Sequence, residues 1–228
     1  MHKLEQIAEQ IRQMFDAQTA ARDQALEQAR ALTRHCALAI RAVHRSESGR
    51  MQEHLDEARR LASELRSGLA HYPDLFYAGY TQDALKEYVE ASITCALLQG
   101  KTLPGLEDLE IPHFTYLNGL AESVGEIRRR ILDIMRHGYS EEVELLLNHM
   151  DEIYAVLVTM DYPDSITNGL RRQTDIIRSI LERTRGDVNF SLQSEHLTRA
   201  ITRLSDQLPG PKSHPDKANK PALPPAED

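Results

Sequence analysis

Residues 116–129 have the sequence YLNGLAESVGEIRR, and residues 87–98 have the sequence EYVEASITCALL. Both stretches are predicted to be helices, because they lack proline and consist largely of residues that helices tolerate well. Each stretch carries two carboxylates three or four residues apart, which in a helix places them on one face, one turn from each other. These carboxylates are Glu87 and Glu90 in one stretch and Glu122 and Glu126 in the other.

The surroundings of these carboxylates are almost free of charge. Glu90 is the only charged residue between Tyr88 and Gly100, and the second pair holds the only formal charges between Ile111 and Ile127. Carboxylates in apolar helices tend to point inward, where a buried charge is costly unless a partner neutralises it. Mg²⁺ or Mn²⁺ prefers oxygen ligands and would relieve the repulsion among these carboxylates. We therefore expect a divalent metal site that can bind a phosphate and activate water.

An alternative interpretation is that the acidic pairs are ordinary solvated helix faces. The chain has 35 acidic residues and is predicted to be mostly helical, so pairs with this spacing also arise by chance. Glu5 with Glu9, and Glu53 with Asp56 and Glu57, have similar spacing and are predicted to face solvent. Spacing alone leaves both interpretations open.

The composition predicts an all-α protein. The 228 residues include only 11 glycines and no Trp, and Ala, Leu, Glu, Arg and Gln dominate the first two thirds. This length is sufficient for one domain with a sizeable core. The net charge of −8 excludes a globally basic nucleic-acid-binding protein, so any nucleic-acid surface has to be a local patch.

The cysteines and the chain start predict a soluble, cytoplasmic protein. Cys36 and Cys95 lie in apolar helical stretches without CxxC spacing, so they are predicted to be buried and reduced rather than zinc ligands. The first residues, MHKLEQ, are charged at once and contain no apolar signal core. No apolar run approaches the roughly 20 residues that span a bilayer, so we expect no membrane partner.

The order of patterns along the chain predicts a bundle of about six to seven helices over residues 1–207. The first helix is unusually long and favours oligomerisation. Residues 101–112 are predicted to be a loop that could cover the acidic site, and the proline-rich residues 208–228 are predicted to be a disordered tail. The predicted helices cover residues 3–46, 51–70, 81–98, 112–137, 140–160, 164–185 and 190–207, with Gly186 as the last break.

Two sets of arginines are candidate nucleic-acid contacts. Arg30 and Arg34 are one turn apart on the long first helix, and Arg128 and Arg129 follow the second acidic pair. Guanidinium groups bind phosphates well, so either set could hold a nucleic-acid backbone. The alternative is structural, since basic residues are also favoured in salt bridges and towards the end of a helix.

These segments resemble the translin family, which includes translin and its partner Trax. The resemblance rests mainly on YLNGLAESVGEIR at residues 116–128 and on EYVEA at residues 87–91. Supporting matches are ARD at 21–23, RAVHR at 41–45 and the DYP break at 161–163. The resemblance extends over about residues 4–200.

The resemblance implies an all-α bundle of about seven helices that assembles into a hollow homo-oligomer, commonly an octamer or a hexamer. It implies binding of single-stranded RNA and DNA and, for Trax-type members, Mg²⁺-dependent endoribonuclease activity. Carried over by position, Glu87, Glu90, Glu122 and Glu126 would be the metal and catalytic carboxylates. Trax-type members often have Asp where this chain has Glu122, whereas translin-type members lack the acidic pair of residues 87–90.

Two other functions remain open on the sequence. The chain could be a non-catalytic nucleic-acid-binding oligomer in which the acidic helices are structural. It could also be a helical scaffold without a nucleic-acid role, an interpretation that the net negative charge favours.

Overall fold

All the regular secondary structure in the described part of the chain is helical. The computed structural model describes residues 2–207, which form nine α-helices and no strand. Six of these helices are long, which confirms the predicted all-α fold; the predicted tail at 208–228 lies outside the described residues. The helices are α1 (His2–His44), α2 (Ser48–Gly68), α3 (Pro73–Phe76), α4 (Gly79–Leu98), α5 (Leu106–Leu109), α6 (His113–Met135), α7 (Glu141–Val158), α8 (Asp164–Thr167) and α9 (Leu170–Gln207).

The long first helix is only half embedded in the bundle. Its 43 residues span roughly 64 Å at 1.5 Å per residue. Its buried residues begin at Ala25, whereas Leu4, Met14 and Phe15 of its first half are 62–69% exposed. The first half of α1 therefore extends beyond the core and presents apolar side chains outward.

The core lies around α4 and α6. The second half of α1 pairs with α2 and packs against α4, while α7 and α9 pack against the other side of α6. Leu85 and Val89 of α4, Val124 and Ile127 of α6, and Leu32 of α1 are completely buried together. Burying a side chain of this size stabilises the fold by about 1.5–3 kcal/mol relative to leaving it in water. The acidic helices therefore lie at the centre of the bundle, with helices packed on both sides.

A glycine sets the close approach of α4 and α6. The two helices run parallel. Thr115 of α6 bonds to Gln82 of α4, and Gly119, four residues later in α6, lies against Lys86, four residues later in α4. A Cβ added at Gly119 would lie 2.6 Å from Val89 Cβ and 2.8 Å from the Lys86 carbonyl oxygen. No larger residue fits there without separating the helices, so Gly119 has a packing role.

The connection between α4 and α6 does not cover the acidic residues, so that prediction is wrong. It is held to α2 by Arg66, which donates to the carbonyl oxygens of Leu109 and Glu110. Its residues share a cleft with Tyr88 and Ser92, which point to a different side of α4 from Glu87 and Glu90. The parallel run of α4 and α6 explains this course, because the chain has to return along the bundle before α6 begins.

The predicted helix break at Gly186 is also wrong. Helix α9 continues through this glycine to Gln207. A glycine inside a helix costs about 1 kcal/mol relative to alanine, and burial of Thr184 and Val188 beside it offsets that cost. The break lies earlier, at Asn168 and Gly169, whose φ angles of 52° and 83° end α8.

Two predicted helix starts differ in detail. Helix α4 begins at Gly79, before Thr81, and the Thr81 hydroxyl donates to the carbonyl oxygen of Leu75 inside the bend that precedes the helix. Ser140 does precede α7, but its side chain forms no capping hydrogen bond. Within residues 2–207, no helix combines the length and apolar character needed to cross a membrane.

Candidate metal centre

Three of the four predicted carboxylates meet between the parallel helices. One carboxylate oxygen each from Glu87, Glu90 and Glu122 lies within 4.8 Å of the other two. Among residues 2–207 this is the one group of three or more potential metal ligands at such short range. We call these three residues the carboxylate cluster. The cluster forms because the close contact at Gly119 brings the acidic face of α4 against that of α6.

The carboxylate cluster is electrostatically strained. Burial, and then the negative charges of Glu87, Glu122 and Glu126, raise the pKa of Glu90 to about 8. Burial and Glu122 also raise the pKa of Glu87 above its ordinary value. A divalent cation would favour the ionised form of all three groups, and their oxygen donors are those that Mg²⁺ and Mn²⁺ prefer. The donor set of the cluster therefore fits such an ion.

Lys86 partly neutralises the cluster. Its ammonium nitrogen lies 2.8 Å from a Glu122 oxygen and 3.9 Å from an Asp83 oxygen. Burial opposes the charged form of this lysine, but its contacts with Glu122, Asp83 and Glu87 raise its pKa nonetheless. One ammonium against three carboxylates leaves the cluster with an excess of negative charge. Lys86 lies next to Glu87 in the sequence, but its contact with Glu122 of the other helix is not visible there.

Glu126 has a different environment from the other three carboxylates. Its Oε2 lies 2.6 Å from Nε2 of His44, a residue of α1 whose side chain is only 4% exposed. The hydrogen bond from His44 lowers the pKa of Glu126 despite burial, and Arg129 at 3.4 Å adds to this effect. Glu126 thus already has a hydrogen-bond partner in His44 and a cationic neighbour in Arg129, and its role as a metal ligand stays a prediction.

The four predicted arginines lie in three environments. Arg128 donates to Thr184 and Asp187, so its guanidinium fastens α6 to α9. Arg129 contacts Glu126, and Arg30 lines a shallow cleft between α1 and α4 together with Asp83 and Glu87. Arg34 is exposed one turn further along α1. Arg30 and Arg129 therefore each lie next to a predicted carboxylate, Glu87 and Glu126 respectively, and the nucleic-acid role of all four arginines stays a prediction.

Comparisons with known proteins identify similar chains. An uncharacterised protein of Methanocaldococcus jannaschii is 34% identical over 194 residues, which cover 82% of this chain and 86% of its own. AfC3PO in a complex with duplex RNA is 29% identical with a TM-score of 0.77, covering 82% of this chain and 97% of its own. A crystal structure of AfC3PO is 28% identical with a TM-score of 0.76, and it covers the same shares of the two chains. No protein-family model matches the sequence.

A further solved structure supports the fold alone. Apo-NeC3PO is 18% identical with a TM-score of 0.75, covering 81% of this chain and 96% of its own. The parallel acidic helices inside an all-α bundle, together with these neighbours, define a translin-type helical protein. The chain belongs to the translin family.

Proposed function

We propose that this protein is a metal-dependent endoribonuclease. The carboxylate cluster carries the proposal. Its three half-buried carboxylates repel one another at this range, and the pKa values of two of them are raised. A bound cation would remove this repulsion. Glu87, Glu90 and Glu122 would hold Mg²⁺ or Mn²⁺, with Glu126 beside them. RNA is proposed as the substrate because the similar AfC3PO forms a complex with duplex RNA.

The residues around the cluster suit a phosphodiester substrate. A bound divalent ion would supply Lewis-acid stabilisation of the phosphate and a water of lowered pKa. Arg30 beside Glu87 and Arg129 beside Glu126 would hold the RNA backbone, so we expect affinity to fall as salt rises. His44 keeps Glu126 fixed and ionised through its hydrogen bond.

We further propose a homo-oligomer, an octamer or a hexamer, as the active assembly. The exposed apolar side chains on the first half of α1, and Phe190, Leu197 and Leu204 on the last part of α9, support this proposal. Contiguous apolar surface of this kind is typical of interfaces between protein chains.

The test is cleavage of a labelled single-stranded RNA in the presence of Mg²⁺ or Mn²⁺. We expect Glu90→Gln and Glu122→Gln each to lower the cleavage rate at least about 100-fold, because loss of a metal ligand weakens the hold on the ion that stabilises charge at the reacting phosphate. Glu53→Gln is the matched control, since Glu53 lies on an exposed part of α2. A wild-type protein that leaves RNA intact with both metals from neutral to alkaline pH would contradict the proposal.

A second candidate is a non-catalytic nucleic-acid-binding oligomer. The contact of Lys86 with Glu122 favours it, since an ammonium already occupies part of the space where a metal would bind. In that case wild type and Glu90→Gln would bind RNA equally in a gel shift at low salt, and neither would cleave it.

A further inference from the structure

A polar groove begins directly beside the carboxylate cluster. It lies between α4, α6 and the first turn of α9, and its volume is about 410 Å³. Lys86 and Gln173 line it, and both also contact Glu122, at 2.8 and 3.5 Å. We call this cleft the α9 groove. A molecule bound in it would therefore lie next to the cluster.

The walls of the α9 groove offer fixed polar groups. Arg172 lines the groove, is exposed, and forms no ion pair with any residue between 2 and 207. Asn118 is 6% exposed, and its amide nitrogen donates to the carbonyl oxygens of Phe114 and Thr167 at 2.8 and 3.0 Å. These two bonds fix the amide, which leaves its carbonyl oxygen as an acceptor at the groove.

Aromatic rings also lie along the α9 groove. Phe114 lines both the groove and a neighbouring cleft, and Tyr77, which is 61% exposed, lines the far part of that cleft. The two clefts share Gln82, Asp83 and Asn168 as well, so they form one continuous depression. Asp83 also lines the groove and Lys86 is paired with Glu122 and Asp83, so Arg172 supplies the free positive charge among the described residues of the lining. An arginine near aromatic rings is an arrangement that binds single strands, because the rings stack on unpaired bases.

We propose that the α9 groove binds the nucleotide adjacent to the phosphate held at the carboxylate cluster. Arg172 contacts the phosphate of that nucleotide, and Phe114 stacks on its base. A cleft of this size is suitable for a small polar ligand of one or two nucleotides. This inference rests on the proposed function, since it places an RNA strand across the cluster.

Binding of a short RNA tests the groove without any cleavage. The probe is a 5′-phosphorylated trinucleotide RNA, titrated calorimetrically in buffer free of divalent metal. We expect Arg172→Ala and Phe114→Leu each to weaken binding about fivefold or more, as loss of a phosphate contact or of base stacking does. Arg171→Ala is the matched control, because this neighbouring exposed arginine does not line the groove.

Several outcomes would overturn the inference. Equal weakening by Arg171→Ala and Arg172→Ala would show only diffuse electrostatic attraction, and unchanged binding in both groove variants would exclude the groove altogether. Thermal unfolding verifies that the variants are folded. If Phe114→Leu were unfolded, the exposed Arg172 would still provide the comparison with Arg171.

Parallel cleavage assays with Mg²⁺ separate this inference from the proposed function. If wild type cleaves RNA and both groove variants bind and cleave like wild type, the groove inference fails and the nuclease proposal stands. The other case is a wild type that fails to cleave RNA with any of the metals tested. If Arg172→Ala and Phe114→Leu still lose binding relative to Arg171→Ala in that case, the groove inference stands and the nuclease proposal fails.

Discussion

The acidic residues of α2 and those of α4 both recur at helical spacing, but their environments are opposite. On α2, Arg60 lies between Glu57 and Glu64 and pairs with both at the exposed surface. Its hydrogen bond lowers the pKa of Glu57. On α4, burial raises the pKa values of Glu87 and Glu90 instead. Burial and incomplete counter-charge, rather than spacing, therefore distinguish a candidate metal centre from a solvated helix face.

The largest expected effect is on the pH dependence of stability in the metal-free protein. The folded-state pKa of Glu90, about 8, lies above its ordinary value of 4.5, so the folded protein keeps this proton after the unfolded chain has released it. The free energy of unfolding should therefore fall as pH rises from about 4.5 to 8, by up to roughly 4–5 kcal/mol at about 1.4 kcal/mol per pKa unit. Urea unfolding across this pH range measures the slope.

Two variants and one ion sharpen this prediction. Glu90→Gln should remove most of the slope, whereas Glu57→Gln should keep it, because Glu57 is on the exposed face of α2. Saturating Mg²⁺ should also flatten the slope in wild type, since it replaces the proton as the neutralising charge. A wild-type stability that does not change over this range would remove the electrostatic distinction between α2 and α4.

The next effect concerns how α4 and α6 are held together. Gly119→Ala should lower the free energy of unfolding by about 3 kcal/mol, because its Cβ would meet both Val89 and the backbone of Lys86. Since Mg²⁺ would bind only the folded carboxylate cluster, we expect it to raise the melting temperature of wild type. Gly119→Ala should lose this rise, because the acidic faces would separate. Urea unfolding and a thermal shift assay measure the two quantities.

Gly125→Ala is the control for this substitution. A Cβ at Gly125 meets nothing within 4 Å, so alanine there should stabilise the helix by roughly 0.5–1 kcal/mol. If both alanine variants had the same stability, the close contact at Gly119 would not be what brings the carboxylates together.

The smallest effect is expected on the solvated side of the comparison. Glu57→Gln breaks an exposed pair with Arg60, and such pairs contribute little to stability. We expect little change in melting temperature and an unchanged Mg²⁺-dependent shift. A loss of that shift would mean that the acidic residues of α2, and not only those of α4 and α6, bind the ion.

Sequence patterns predicted the all-α fold and the residues of the carboxylate cluster for a local reason. Helical spacing and low-charge flanks are visible within twenty residues of Glu90 or Glu122. The counter-charges were not predictable in this way. Lys86 reaches Glu122 only because α4 and α6 run parallel, and His44 reaches Glu126 across 82 positions.

Other features depended on packing that no local pattern encodes. Gly119 and Gly125 look alike in the sequence, yet only Gly119 meets another helix. Gly186 was predicted to end a helix because glycine has a low helix propensity, but tertiary burial of its neighbours outweighs that propensity. The α9 groove combines residues from three helices and the link before α9, so neither Arg172 nor Phe114 carries a signal of its own.

The parallel course of α4 and α6 has a consequence for how this protein can vary. The chain that joins the two helices runs along a side of α4 away from the carboxylate cluster, and Arg66 anchors its end. Insertions near Thr102 would lengthen that segment without moving any carboxylate, so homologous chains should differ in length there. The same position is suitable for a fluorescent label or an inserted reporter domain, whereas position 119 should accept almost no residue other than glycine.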